Sequence, residues 1–127
     1  MSRNVLIVDD STAMRKVIRR ILTLSNFETK HCFEAGDGLE ALDVLGLEPV
    51  DLVIADINMP RMNGEELVRT LSQDSRFSSL PIVVISTDSS SERKQALQAL
   101  GVRGYITKPF VPETLRSVLD NVFGGAE

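Results

Sequence analysis

Three acids, a lysine and a serine stand at the ends of short apolar runs. Asp9 and Asp10 follow Asn4–Val8, Asp56 follows Val50–Ala55, Lys108 follows Tyr105–Thr107, and Ser86 closes Ile82–Ile85. Runs this short and this rich in β-branched residues predict strands buried on both faces of a parallel sheet. Ligand sites in open α/β sheets lie beyond the carboxyl ends of the strands. Such a fold would gather three carboxylates, a hydroxyl and an ammonium in one place. Clustered carboxylates resist ionising together, and a hard, oxygen-seeking cation such as Mg²⁺ relieves that repulsion. Asp56 is the candidate nucleophile, because a carboxylate attacking phosphorus gives an acyl phosphate. Asp9 and Asp10 are candidate Mg²⁺ ligands, Lys108 offers a point charge for a phosphate oxygen, and the Ser86 hydroxyl can bond another. Taken alone, an Asp after a strand commonly caps a helix or opens a turn, and Asp10 suits that role equally well. The conjunction at four strand ends favours phosphoryl chemistry, where catalysis is mostly positioning and charge neutralisation.

The intervening segments predict alternating strands and helices, the pattern of an α/β layer fold. In the first helix Met14, Val17, Ile18, Ile21 and Leu22 follow the i, i+3, i+4, i+7, i+8 spacing of a buried stripe. Asp10 or Ser11 can cap it. Arg15, Lys16, Arg19 and Arg20 fall on its outer face, a solvated surface or a dock for an acidic partner. A polar second strand is expected around residues 28–33, then a turn at 35–38 and a short helix over 39–45. Pro60 and Gly64 break the segment after Asp56, and a helix is expected over 64–72. Thr87–Ser91 opens a fourth helix ending near Leu100, whose few apolar anchors predict a loosely held element. Gly101 is its stop signal. Pro112 suits the first turn of a last helix, with Leu115, Val118, Leu119, Val122 and Phe123 as its buried stripe.

At 127 residues the chain suits one domain, expected to span 1–127, and it carries a net charge of −4. That balance argues against a nucleic-acid groove binder. Cys32 is the only cysteine, so no internal disulfide forms, which fits a reducing compartment. Met1–Asn4 lead straight into a strand without an apolar signal region, and no run is long enough to span a bilayer. A cytoplasmic protein without membrane insertion is expected. His31, the lone histidine, and Thr87 with Ser89–Ser91 read as strand and cap residues, and Cys32 as a small core residue.

The runs Val5–Asp10, Asp56–Pro60 with Met62–Gly64, Ile82–Ser86 and Thr107–Phe110, in this order and spacing, resemble those of response-regulator receiver domains, the phospho-acceptor half of two-component signalling. The resemblance covers essentially the whole chain. It implies a flavodoxin-like, doubly wound five-stranded parallel sheet of order 2-1-3-4-5 with five helices. It implies that Asp56 accepts a phosphoryl group from a phosphohistidine on a histidine kinase. Asp9, Asp56 and the backbone carbonyl of Asn58 would be direct Mg²⁺ ligands, with Asp10 acting partly through water. The Lys108–Pro109 bond would be cis. Ser86 and Tyr105 would form the switch pair, reshaping the face of the fourth helix, fifth strand and fifth helix toward a target protein. Asn58 and Asp88 would tune the loss of the phosphoryl group. Without the resemblance, Tyr105 reads as packing. Ser86 stands where threonine is more frequent in the family, and Asp88 and the serines after it are polar where many relatives carry small apolar residues.

The entry to the first helix, Asp10–Arg15, is similar to that of stand-alone chemotaxis receivers, whose target is the flagellar motor switch. The chain closes just after its last helix, at 124–127, so a stand-alone regulator, monomeric until phosphorylated and not an enzyme with an external substrate, is expected. A phosphate shuttle and a receiver cut from a DNA-binding regulator stay open. An aspartyl-phosphate phosphatase is disfavoured by Asn58, since such enzymes place a second Asp two residues after the nucleophile. A flavodoxin-like nucleotide or flavin binder is disfavoured by the acidic loop after the first strand.

Overall fold

The computed structural model describes residues 2–124, so the segment 125–127 and Met1 lie outside the described residues. Ten elements alternate along the chain: β1 (Arg3–Val8), α1 (Thr12–Leu24), β2 (Thr29–Ala35), α2 (Gly38–Leu47), β3 (Leu52–Asp56), α3 (Gly64–Ser72), β4 (Ile82–Ser86), α4 (Ser91–Ala99), β5 (Gly104–Thr107) and α5 (Pro112–Val122). The strands form one parallel sheet in the order β2-β1-β3-β4-β5. This is the flavodoxin-like topology, and it puts the ends of β1 and β3 side by side, with Val8 paired to Ala55.

Alternation along the strands divides the interior in two. Val5 and Ile7 of β1 face one core with Ile18 and Leu22 of α1 and Leu115 and Leu119 of α5. Leu6 and Val8 face the other with Ala41 and Leu45 of α2, Leu67, Val68 and Leu71 of α3, and Leu97 of α4. The central strands are covered on both sides, which is why they consist of uninterrupted apolar residues.

β2 ends at Ala35, two residues later than its composition suggests, because Phe33, Glu34 and Ala35 pair in register with Leu6, Ile7 and Val8. Its polar residues reflect its edge position, with Lys30 and His31 exposed. The turn expected at 35–38 contracts accordingly, and Asp37 caps α2 by accepting from the Glu40 N–H at 2.9 Å. In α1 the cap is Ser11, which accepts from the Met14 N–H at 3.1 Å. Val17, expected in the buried stripe, is 47% exposed. It lies at the margin of the stripe, in a shallow apolar groove with Met14, Ile21, Lys108, Pro109 and Phe110. α4 buries Leu97 alone, the loose hold its sequence predicts. It stops at Gly101, whose φ of +101° only glycine adopts readily.

Candidate functional site

Asp9 follows β1, Asp56 ends β3, Ser86 ends β4 and Lys108 follows β5, so the topology brings all four to the carboxyl edge of the sheet. Asp9 is buried and Asp10 is exposed. One carboxylate oxygen from each of Asp9, Asp10 and Asp56 lies within 4.8 Å of the others. The Lys108 ammonium reaches into this group, 3.5 Å from Asp9 Oδ2 and 3.6 Å from Asp56 Oδ2. Its backbone N–H donates to the Ser86 carbonyl at 2.8 Å, tying the loop after β5 to the end of β4. The Lys108–Pro109 bond is cis, as the sequence resemblance implies.

Electrostatically the pocket is unfinished. Asp9 Oδ1 accepts from the Ser11 N–H at 2.9 Å, but the buried Oδ2 accepts no hydrogen bond and has only the ion pair with Lys108. Burial pushes the Asp56 carboxyl above its usual range; Lys108 opposes that shift, the Asp9 charge adds to it, and the N–H groups of Ile57 and Asn58 oppose it. The Ile57 N–H donates to Asp56 Oδ1 at 2.8 Å. Three converging carboxylates with one orphaned oxygen form a donor set suited to a hard divalent cation.

Asp56 is held from below by close backbone packing. A Cβ added to Gly64 would stand 2.3 Å from the Asp56 carbonyl oxygen and 2.8 Å from Ile57 Cα, so only glycine lets α3 begin there. Asn63 and Glu66 form a capping box at the same turn. Asn58, exposed, lies in the loop between β3 and α3. Met62 of that loop packs beneath Gly38 and against the core beside α2, so it anchors the loop.

Ser86 and Tyr105 meet through Asp88. The buried Ser86 hydroxyl accepts from the Asp88 N–H at 3.0 Å, and the half-buried Tyr105 hydroxyl donates to the Asp88 carbonyl oxygen. Burial raises the Tyr105 pKa. The Asp88 side chain accepts from the Ser90 N–H at 2.9 Å and lies 3.5 Å from Arg93 Nε.

Seven of the eight candidate residues thus sit on the strand ends or the loops that leave them, and Tyr105 lies within β5. Two further contributors have no motif in the sequence. Arg15, expected on the outer face of α1, is only 16% exposed; it donates to the Asp9 carbonyl at 2.6 Å and to Glu34 at 2.8 Å. Arg61, at φ +60°, reaches the buried Asp37 carboxylate at 2.6 Å and pins the β3–α3 loop to the start of α2. Both connect residues distant in sequence, so helical spacing does not reveal them.

Sheet order and polar edge together define a doubly wound α/β domain with an acidic pocket and a lysine at its carboxyl end. The family model for the response regulator receiver domain matches residues 5–120. The chain belongs to that family. It is 39% identical over 121 residues to the chemotaxis protein CheY1 of Helicobacter pylori, covering 94% of this chain and 96% of that one. It is 37% identical over 119 residues to the chemotaxis protein CheY-3 of Vibrio cholerae, covering 94% and 90%. Among solved structures, the chemotaxis response regulator CheY4 of Vibrio cholerae superposes with a TM-score of 0.83 at 37% identity, over 96% of this chain and 99% of that one. Among the described residues no helix is long and apolar enough to cross a membrane.

Proposed function

We propose that this chain is a phospho-acceptor switch of a two-component pathway, acting as one unit, in which Asp56 receives a phosphoryl group from a phosphohistidine of a histidine kinase. The observation that carries this reading is the Asp56 carboxylate at a strand end, with Lys108 Nζ at 3.6 Å and the orphaned Asp9 oxygen beside it. Asp56 attacks phosphorus through a carboxylate oxygen. The new P–O bond forms as the P–N bond breaks, and the imidazole nitrogen keeps the electron pair of the broken bond. Lys108 binds a phosphoryl oxygen, and the Ser86 hydroxyl turns from Asp88 to donate to another. Asp9, Asp10, Asp56 and the Asn58 carbonyl would hold Mg²⁺, which when bound neutralises carboxylate and phosphoryl oxygens. The protein turns over no external substrate; its only chemistry is its own phosphorylation and hydrolysis.

Release of the Asp88 N–H by Ser86 alters the loop that also carries the Tyr105 bond, which biases α4, the helix held by one buried residue. The output is a changed α4–β5–α5 face that binds a target protein. The likeness to chemotaxis proteins supports a target in flagellar motor control, in the cytoplasm, with the unphosphorylated protein monomeric. Intact-mass measurement after incubation with acetyl phosphate tests this. A single Mg²⁺-dependent phosphoryl adduct, absent from Asp56→Asn, is expected; an adduct that survives in Asp56→Asn would refute the assignment.

A further inference from the structure

Arg93 lies in the first turn of α4, with its side chain one-third exposed. Its guanidinium spans two acids from different elements. Nη1 pairs with Glu65 Oε1 of α3 at 2.9 Å, and Nε faces Asp88 Oδ2 at 3.5 Å. Glu65 directly follows Gly64, whose backbone underlies Asp56. Asp88 follows Ser86 by two residues and carries the Tyr105 bond on its carbonyl. Arg93 therefore braces the loop that borders the site against the helix that begins beneath it.

The charge balance at this rim matters, because the group to be transferred arrives as an anion. Among the described residues the cluster of Asp9, Asp10 and Asp56 holds one ammonium, Lys108, paired with Asp9 and Asp56. Asp88 places a further carboxylate, 39% exposed, on the loop that leaves Ser86 at the end of β4. Ser90 N–H holds its Oδ1 at 2.9 Å, which fixes its direction but cancels no formal charge. Arg93 is the cation that faces it.

We propose that Arg93 is a positioning residue for phosphoryl transfer: it holds the Asp88 carboxylate aside and offsets its charge, so that an anionic phosphodonor can approach Asp56. This rests on Asp56 being the phospho-acceptor. Arg93 acts through Asp88 and forms no bond in the reaction. The donor class concerned is small acyl phosphates and phosphoramidates, which carry no protein surface of their own to outweigh rim repulsion.

The test is the bimolecular rate constant for phosphorylation by acetyl phosphate at saturating Mg²⁺, followed by intact mass. Wild type, Arg93→Gln, Arg93→Lys and Asp88→Asn/Arg93→Gln are compared at low and high salt. Arg93→Gln should fall about five-fold at low salt, the order expected of one uncompensated charge near a protein surface. The deficit should shrink at high salt. Arg93→Lys should recover most of the rate, and the double variant should return to within about two-fold of wild type, since the carboxylate to be offset is gone. An unchanged rate in Arg93→Gln overturns the proposal. So does a double variant as slow as Arg93→Gln, which would mean that Arg93 acts only as a brace between α3 and α4. Absence of any adduct in wild type would overturn the small-donor class assigned here, and an adduct that survives in Asp56→Asn would instead refute the phospho-acceptor reading on which this one rests.

Discussion

Replacing Lys108 by Met tests the electrostatics of the pocket without any phosphodonor. The ammonium lies 3.5 Å from Asp9 and 3.6 Å from Asp56, and at an effective dielectric constant of about 20 each attraction is between about 4.5 and 5 kcal/mol. The carboxylates left behind lie within 4.8 Å of one another and repel by about 3.5 kcal/mol or more on the same scale. Against this, removing the lysine recovers the cost of desolvating an ammonium that is 15% exposed, several kcal/mol for a buried ion. The balance is a loss of about 3 kcal/mol at neutral pH, within the range for removing one partner of a buried pair. The pH dependence follows from Asp56. Its folded pKa is already raised by burial, and loss of Lys108 raises it further. A carboxyl whose folded pKa exceeds its unfolded value costs stability above the folded pKa. That cost fades as pH falls through it and vanishes below the unfolded value, about 4. Urea unfolding in EDTA should show the deficit at about pH 7.5 and a clearly smaller one at about pH 5. It should also shrink in an Asp9→Asn background. A cost below about 0.5 kcal/mol at pH 7.5, or one independent of both pH and Asp9, would refute the charge balance described for the site.

The remaining predictions concern neighbouring parts. Gly64→Ala should cost more than about 3 kcal/mol in urea unfolding, because the new methyl meets backbone atoms that cannot yield. Tyr105→Phe should cost about 1 kcal/mol, the net value of the bond to Asp88. It should also abolish tyrosine fluorescence, since the chain has one Tyr and no Trp. In wild type, phosphorylation should change both the intensity of that emission and its quenching by iodide. Asp56→Asn should remove the acetyl phosphate adduct while leaving the fold intact, checked by mass and circular dichroism, and the Arg93 series should order as described above.

Strand ends were the most legible part of the sequence because burial on both faces writes them as uninterrupted apolar runs. β1, β3 and β4 appear in that form, and Asp9, Asp56 and Ser86 follow from them by topology alone. β2 was harder, since an edge strand need not be apolar and its end is set by pairing with β1. The α1 stripe identified Ile18 and Leu22 correctly but included Val17, because periodicity specifies a face and not how far round the helix burial extends. Contacts made by long side chains were illegible. Arg15, Arg61 and Arg93 look like surface charge in the sequence, and each gains its partner only when elements distant in the chain are brought together. Asp88 was marked by its position after Ser86, whereas its use of both peptide groups to link Ser86 and Tyr105 required the backbone path.

The two interior cores have a consequence for where motion resides. β1, β3 and β4 send alternate side chains into both, so their amides open only if both layers give way, and they should be the slowest to exchange with deuterium. α4 rests on Leu97 alone, so its amides should exchange orders of magnitude faster and without disturbing the rest. The reacting groups are thus mounted on the part of the molecule with the least freedom, and the surface that would report the reaction is the part with the most. Stiffness and compliance are assigned to different elements, and the seam between them is the short segment from Ser86 to Ser90.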